Sequence, residues 1–333
     1  MSDFAIVAVR GPLDESVHHV SAAVVTTDGT LIAHAGDPEL VTYWRSASKP
    51  FQLAPLVEDG GIERFGLDQE MLALACGSHN AESEHRVVGA RWLEAVGLRE
   101  DQLSCGGHPS LWPEQAERMI REGVAPTPLW SNCSGKHAGL LALARLHDWP
   151  TDGYEATGHP VQDRVAQSIA QYTGVPVGQQ VWGVDGCTAA AVALPLVAMA
   201  RGYAALGAGA SPAMALLRDA MTAWPMMVAG SERLDTILMS AWPGRVVAKI
   251  GAEGVFSAAL PTLGIGLSLK VHDGDMRCAG YALVALLEAV VARLDPAGDW
   301  PLDELARWRS PKIRNTRGVV TGSWQPRLTL RFA

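Results

Sequence analysis

Lysine is scarce in this chain: only five of the 27 basic residues are lysines, Lys49, Lys136, Lys249, Lys270 and Lys312. Arginine keeps its proton in a folded protein whereas a buried lysine can lose it, so these few amines are the first candidates for a base or a ligand. Codon bias that left a handful of lysines would give the same numbers. Cysteine is also sparse and odd in number, at 76, 105, 133, 187 and 278. That excludes a fully paired disulfide framework and suits free thiols in a reducing compartment. An excess of basic charge is missing too. A net charge of -8 and an isoelectric point near 5.7 argue against nucleic acid or an anionic membrane as partner, and a small neutral or zwitterionic substrate fits better. The start, Met1-Ser2-Asp3-Phe4 through Arg10, lacks a basic segment and a long apolar core. No signal peptide is expected there, and the cytoplasm is the expected location. Long apolar runs are broken by Pro195 and Arg201 in one window and by glycines and Lys270 in another, so no membrane span is expected. There is no internal repeat and no low-complexity tract. What remains, 48% hydrophobic and 19% charged residues, is enough for one large core or two smaller ones.

Arg45-Ser46-Ala47-Ser48-Lys49-Pro50 sets a hydroxyl and an amine three residues apart. Pro50 is tolerated only in a helix's first turn, which predicts a helix start at about Ser46 to Ser48. Ser46 then sits at the positive end of the helix dipole, where backbone N–H groups can stabilise an oxyanion. Lys49, three residues on, can reach its hydroxyl. A free lysine titrates near about 10.4, and burial or a neighbouring cation such as Arg45 would make the amine a usable base. Ser-x-x-Lys is the signature of serine β-lactamases and penicillin-binding proteins. The bland alternative has Ser46 or Ser48 as an N-cap and Lys49 as a solvated charge.

Along the chain, Phe4 to Val9 reads as a strand, and Val20 to Thr26 with Thr30 to Ala35 reads as a hairpin around Asp28-Gly29. From Arg45 to about Ser240 the pattern becomes helical. Helices are expected at 83–96, 113–122, 135–146, 160–172, 189–200, 212–223 and 231–240, with a short strand near 181–184. The Ala/Gly-rich run 204–213 reads as a flexible connection. Strands return at 246–250, 255–260 and 264–271, followed by a long helix 276–293 and a strand 327–332. The expected fold is α/β of the α+β kind: an antiparallel sheet from both chain ends, 1–44 and 241–333, with a helical subdomain, 45–240, inserted.

Polar residues cluster among glycines in four further stretches, each a loop opening onto a helix. These are Cys76-Gly77-Ser78-His79-Asn80-Ala81-Glu82, Cys105-Gly106-Gly107-His108-Pro109, Asn132-Cys133-Ser134-Gly135-Lys136-His137 and Val184-Asp185-Gly186-Cys187. Singly, Ser78 and Ser134 read equally as N-caps, Cys133 and Cys187 as small core residues, and His79 and His137 as structural histidines. Cys133 and Lys136 could share a helix face, yet no standard zinc spacing is present.

Trp44-Arg45-Ser46-Ala47-Ser48-Lys49-Pro50, Gly77-Ser78-His79-Asn80-Ala81-Glu82, Asn132-Cys133-Ser134-Gly135-Lys136-His137, Asp185-Gly186-Cys187, Met227-Val228-Ala229-Gly230 and Lys249-Ile250-Gly251-Ala252-Glu253-Gly254 resemble, in consistent order, the asparaginase family typified by the inducible, thermolabile enzymes of Rhizobium etli. The resemblance implies a fold similar to glutaminases and serine β-lactamases, and hydrolysis of L-asparagine to L-aspartate and ammonia. It implies two Ser-Lys pairs, Ser46 with Lys49 and Ser78 with Lys249, and leaves open which serine is attacked. It further implies a zinc ion held by Cys133, Lys136 and Cys187, with His137 near the metal, and a homodimer as the assembly. A free amino acid carries both charges, so a selective site needs both signs, and Arg45 and Asp185 are candidates to supply them. A buried ion pair with no ligand contact is the other account of those two. A glutaminase or another serine acyl hydrolase of the same fold, and a non-catalytic ligand-binding protein, are the alternatives to asparagine hydrolysis.

Overall fold

The computed structural model describes residues 3–332, so Met1 and Ser2 of the leader argument lie outside the described residues. Strands β1 (Phe4–Arg10), β2 (Leu13–Thr26) and β3 (Leu31–Ala35) come from the start of the chain. From the middle come β4 (Val41–Tyr43), β5 (Val181–Val184) and β6 (Ala190–Pro195). The end supplies β7 (Val247–Gly251), β8 (Val255–Leu260), β9 (Ile265–Val271), β10 (Lys312–Arg314), β11 (Val320–Leu328) and β12 (Arg331–Phe332). The main sheet runs β10-β11-β1-β2-β9-β8-β7, with β3 paired to β2 and β12. Its pairings are antiparallel, so the sheet drawn from both chain ends, with helices inserted between, is as the sequence led us to expect.

The central strands are covered on both faces, since every residue from Val20 to Val25 is buried. Helix Leu196–Ala208 packs on β2, β8 and β9, and helix Met276–Leu294 on β1, β8, β9 and β11. The first of these contacts depends on Gly266. A Cβ there would lie 2.2 Å from the Ala200 carbonyl oxygen and the Ala204 nitrogen, so only glycine lets the helix backbone rest on β9.

Several expectations are corrected. The segment expected as helix 189–200 is strand β6 followed by helix Leu196–Ala208. An alanine-rich run that is apolar all round has no period to read, and Pro195 ends the strand and leads directly into the helix. The run 204–213 is no flexible connection: the helix continues to Ala208, Gly209 caps it in the left-handed region, and Ser211 caps helix Pro212–Ala223. The last strand is two, β11 and β12. Strand β2 begins at Leu13 and not at Val20, because Leu13 to Val17 are exposed and carry no alternation. Helix Gln69–Cys76, capped by the Asp68 side chain on the Met71 amide, was not anticipated, and it delivers the chain to Ser78.

Candidate active site

The Ser46 segment forms a 3-10 turn, Arg45–Ser48, leading into helix Lys49–Glu58 with Pro50 in its first turn. The helix therefore begins one residue beyond the expected range. Arg45 has φ +53, a left-handed conformation that is strained for a side chain of its size and that the surroundings must hold in place. Its guanidinium donates to Asp185 Oδ1 from Nη2 at 2.8 Å and from Nε at 3.2 Å. Both residues line a cleft of about 460 Å³, together with Ser46, His108, Cys133 and Cys187. Asp185's carboxyl is held below the usual range: burial pushes it up, and Lys136 and Arg45 more than offset that.

Lys49 is fully buried, and each of its three ammonium protons has an acceptor. Nζ donates to the Gly77 carbonyl, to Ser78 Oγ at 2.9 Å and to the Asn132 carbonyl at 3.1 Å. The amine expected to meet Ser46 thus meets Ser78. Ser78 is buried and held by its own backbone, which donates to the Val228 carbonyl at 2.7 Å. The close approach of the backbone at 227–228 explains Gly77, where a Cβ would stand 2.6 Å from the Met227 carbonyl oxygen. Lys249, expected beside Ser78, donates to the Ile250 carbonyl at 2.8 Å and lies 3.9 Å from Asp235. Burial pushes its amine down to about 7, against the pull of Asp235.

Cys133, Lys136 and Cys187 come together at the cleft wall. Lys136 Nζ lies 2.9 Å from Cys187 Sγ. Contact between the two sulfurs pulls the Cys133 thiol down and pushes that of Cys187 up, where burial adds to the rise. Burial opposes the charge on Lys136, but the two sulfurs raise its amine above the ordinary value. His137 lies behind this group and does not line the cleft. Its Nδ1 meets the Tyr154 hydroxyl at 2.6 Å, and burial keeps the ring neutral. The structure therefore withdraws it from direct contact with a ligand in the cleft.

Sequence reasoning gave no role to His108, which lines the cleft and whose Nε2 accepts from the Asn132 amide at 2.9 Å. Its glycine-flanked stretch was the available signal. Asp235 carried none, sitting inside an unremarkable helical pattern. His79 matches its structural account, bonded to Ser134 Oγ at 2.9 Å and to the Ala81 amide at 3.1 Å. A different trio, His18, Asp275 and Cys278, brings ligand atoms within 4.8 Å of one another. Both oxygens of Asp275 are already engaged, by Arg277 and by two amides that begin helix Met276–Leu294.

One cleft thus gathers the Ser46 hydroxyl, the Arg45 guanidinium and the Asp185 carboxylate, and Lys49 meets Ser78 in a buried contact. The chain belongs to the L-asparaginase II family, whose model matches residues 6–326. No significant match was found among curated proteins. Among solved structures, the chain is similar to Mglu in its native form, with 18% identity and a TM-score of 0.46, over 82% of this chain and 60% of that one. Mglu in its L-glutamate binding form gives 17% identity and a TM-score of 0.45, over 82% and 60%. A β-lactamase from Mycobacterium bovis gives 13% and 0.45, over 83% and 94%. This chain thus spans 60% of the length of Mglu. No helix among the described residues is long and apolar enough to cross a membrane.

Proposed function

We propose that this chain hydrolyses L-asparagine to L-aspartate and ammonia through a serine nucleophile. The observation that carries the reading is the arrangement of Ser46, Arg45 and Asp185 in one cleft. Arg45 and Asp185 bind each other and still leave Arg45 Nη1 and Asp185 Oδ2 without hydrogen bonds among the described residues. One free donor and one free acceptor suit the carboxylate and ammonium of an amino acid, and its side-chain amide then falls to the hydroxyl.

In this mechanism the Lys49 amine, neutral and turned from the Gly77 and Asn132 carbonyls it meets in the resting site, takes the Ser46 proton as Ser46 Oγ attacks the side-chain carbonyl carbon. The C–N bond breaks as a proton returns to the nitrogen, and ammonia leaves. Water then attacks the ester carbonyl, its proton passes back through Lys49 and Ser78, and aspartate departs with Ser46 restored. Lys249, with its lowered proton affinity, serves as a second proton acceptor. A second reading makes Ser78 the nucleophile, favoured by its 2.9 Å contact with Lys49. Ser46 is preferred because it lines the cleft, whereas Ser78 is 3% exposed.

The donor set of Cys133, Lys136 and Cys187 fits zinc: two soft thiol sulfurs and an amine, gathered at the cleft wall. Held there, the ion would add fixed positive charge beside the substrate pocket. The nucleophile in this reading is a hydroxyl of the chain itself.

Purified protein should release ammonia from L-asparagine far faster than from L-glutamine, and Ser46→Ala should abolish the signal, which excludes a contaminating host enzyme. Equal rates would move the reading to a glutaminase or a broader amidase. Release from neither substrate would leave a ligand-binding protein. Mass mapping of the adduct left by an acylating asparagine analogue decides between Ser46 and Ser78.

A further inference from the structure

Lys249 and Asp235 are the most deeply buried of the described ion pairs, with side chains 0% and 1% exposed. Asp235 stands in the first turn of helix Leu234–Ala241, and its Oδ1 accepts the Ile250 amide at 2.7 Å. On the other side of that residue, the Lys249 amine donates to the Ile250 carbonyl at 2.8 Å. One residue of β7 is therefore gripped by both members of the pair, and the helix start is locked to the strand that carries the lysine. Asp235 Oδ2 is buried with no hydrogen-bond partner, a costly arrangement for a carboxylate that serves packing alone.

The charges around Lys249 make the carboxylate important. Burial and the cations Lys49 and Arg233 oppose the ammonium, while Asp235, and less strongly the Cys133 sulfur, favour it. Cys76 lies near both Lys49 and Lys249, and Tyr203 lies near Asp235 and Cys76. Burial raises the proton affinity of both of these neutral groups, so neither supplies a negative charge near neutrality. We propose that Asp235 is a positioning residue of this site, fixing the Lys249 amine on β7 and setting how readily it gives up its proton. A buried amine among cations sheds its proton at acidic pH. With a carboxylate 3.9 Å away, it stays poised near neutrality, where one amine can both accept and return a proton within a turnover. The kinetic part of this inference rests on the proposed hydrolysis; the electrostatic part does not.

With only five lysines in the chain, protein carrying 13C at the lysine ε-carbons gives five signals, and Lys249→Arg assigns the one of interest. Wild-type Lys249 should titrate near neutral pH. Asp235→Asn keeps an acceptor for the Ile250 amide and removes the charge, and should lower the proton affinity of Lys249 by at least about tenfold. An unchanged midpoint in a folded variant overturns the proposal. Should Asp235→Asn not fold, wild-type protein labelled at the aspartate carboxyl carbons replaces it. The Asp235 signal must then move with the Lys249 midpoint, and an Asp235 signal indifferent to that titration overturns the proposal. The acid limb of kcat/KM for ammonia release should move to lower pH in Asp235→Asn, in step with the resonance. A lowered midpoint with an unmoved limb supports the electrostatic role and removes Lys249 from the hydrolysis instead.

Discussion

At the scale of single residues, scarcity in the sequence pointed to amines that are buried, and spacing did not reveal the contact Lys49 makes with Ser78. Lys49, Lys136 and Lys249 are all buried, as a chain that otherwise prefers arginine suggested. The i to i+3 rule that sent Lys49 to Ser46 holds for two residues on one regular helix. Here Ser46 belongs to a 3-10 turn and Lys49 opens the α-helix, so the amine turns to the Gly77-Ser78 loop. No sequence rule reports that two loops 28 residues apart converge. Replacing Lys49 by Met keeps the length of the side chain, removes the base and leaves buried carbonyls without a donor. Turnover should fall about 10²- to 10⁴-fold, with a stability loss of about 1–3 kcal/mol, read by ammonia release and urea unfolding. A near-native rate would assign the base to another group. The thiols make a separate test. Protein purified without chelator should carry about one zinc per chain, and Cys187→Ser should lose it by metal analysis while Cys278→Ser, at the start of helix Met276–Leu294, retains it. Equal loss in both variants would refute the proposed ligand set.

At the scale of elements, legibility followed the strength of the local signal. Helices bounded by proline, serine or glycine were readable to within a residue or two, among them Ser83–Val96 before Gly97 and Pro113–Glu122 before Gly123. So was the hairpin at Asp28-Gly29. Most of strand β11 was not. β11 is half exposed and contains Pro326, and it is a strand because β1 pairs with it from the opposite end of the sequence. The start of helix Met276–Leu294 allows a quantitative check. Asp275 accepts the amides of Arg277 and Cys278, and its carboxyl is held down to about 2. Burial alone would raise it, and the hydrogen bonds from Arg277 and the amides outweigh burial. A depressed carboxyl contributes stability above its unfolded value, near 3.8, and that contribution drains away as pH falls toward 2. Asp275→Ala should therefore cost about 1 kcal/mol at neutral pH, with the difference from wild type shrinking in acid. A difference that is constant with pH would mean that packing at this position, and not the charged cap, is what the aspartate provides.

At the scale of the whole molecule, an inserted helical segment and a sheet from the chain ends invite the expectation of two units that melt apart. The packing argues otherwise. One continuous core runs from Phe4 to Leu305 and includes residues of the sheet and of the inserted helices alike. Trp44 donates to Ser257 in β8 at 3.1 Å, and Ser257 contacts Ser268 in β9 through their hydroxyls. Tyr203, on a helix of the inserted segment, packs against Trp44 and donates to the Ala47 carbonyl at 2.8 Å. That helix also rests on Gly266, where backbone meets backbone with no side chain between. Removing the segment would strip cover from the central strands, whose residues Val20 to Val25 are buried, and apolar surface of that size is not left facing water in a stable fold. Unfolding should therefore be a single cooperative event. Tryptophans report from both parts, Trp92 and Trp130 in the inserted segment and Trp300 and Trp324 near the end of the chain, so their fluorescence samples the whole molecule. Fluorescence and far-UV circular dichroism, followed through a urea titration, should give coincident midpoints. Two separated transitions, or a stably folded fragment spanning 45–240 alone, would show that the inserted helices stand without the sheet.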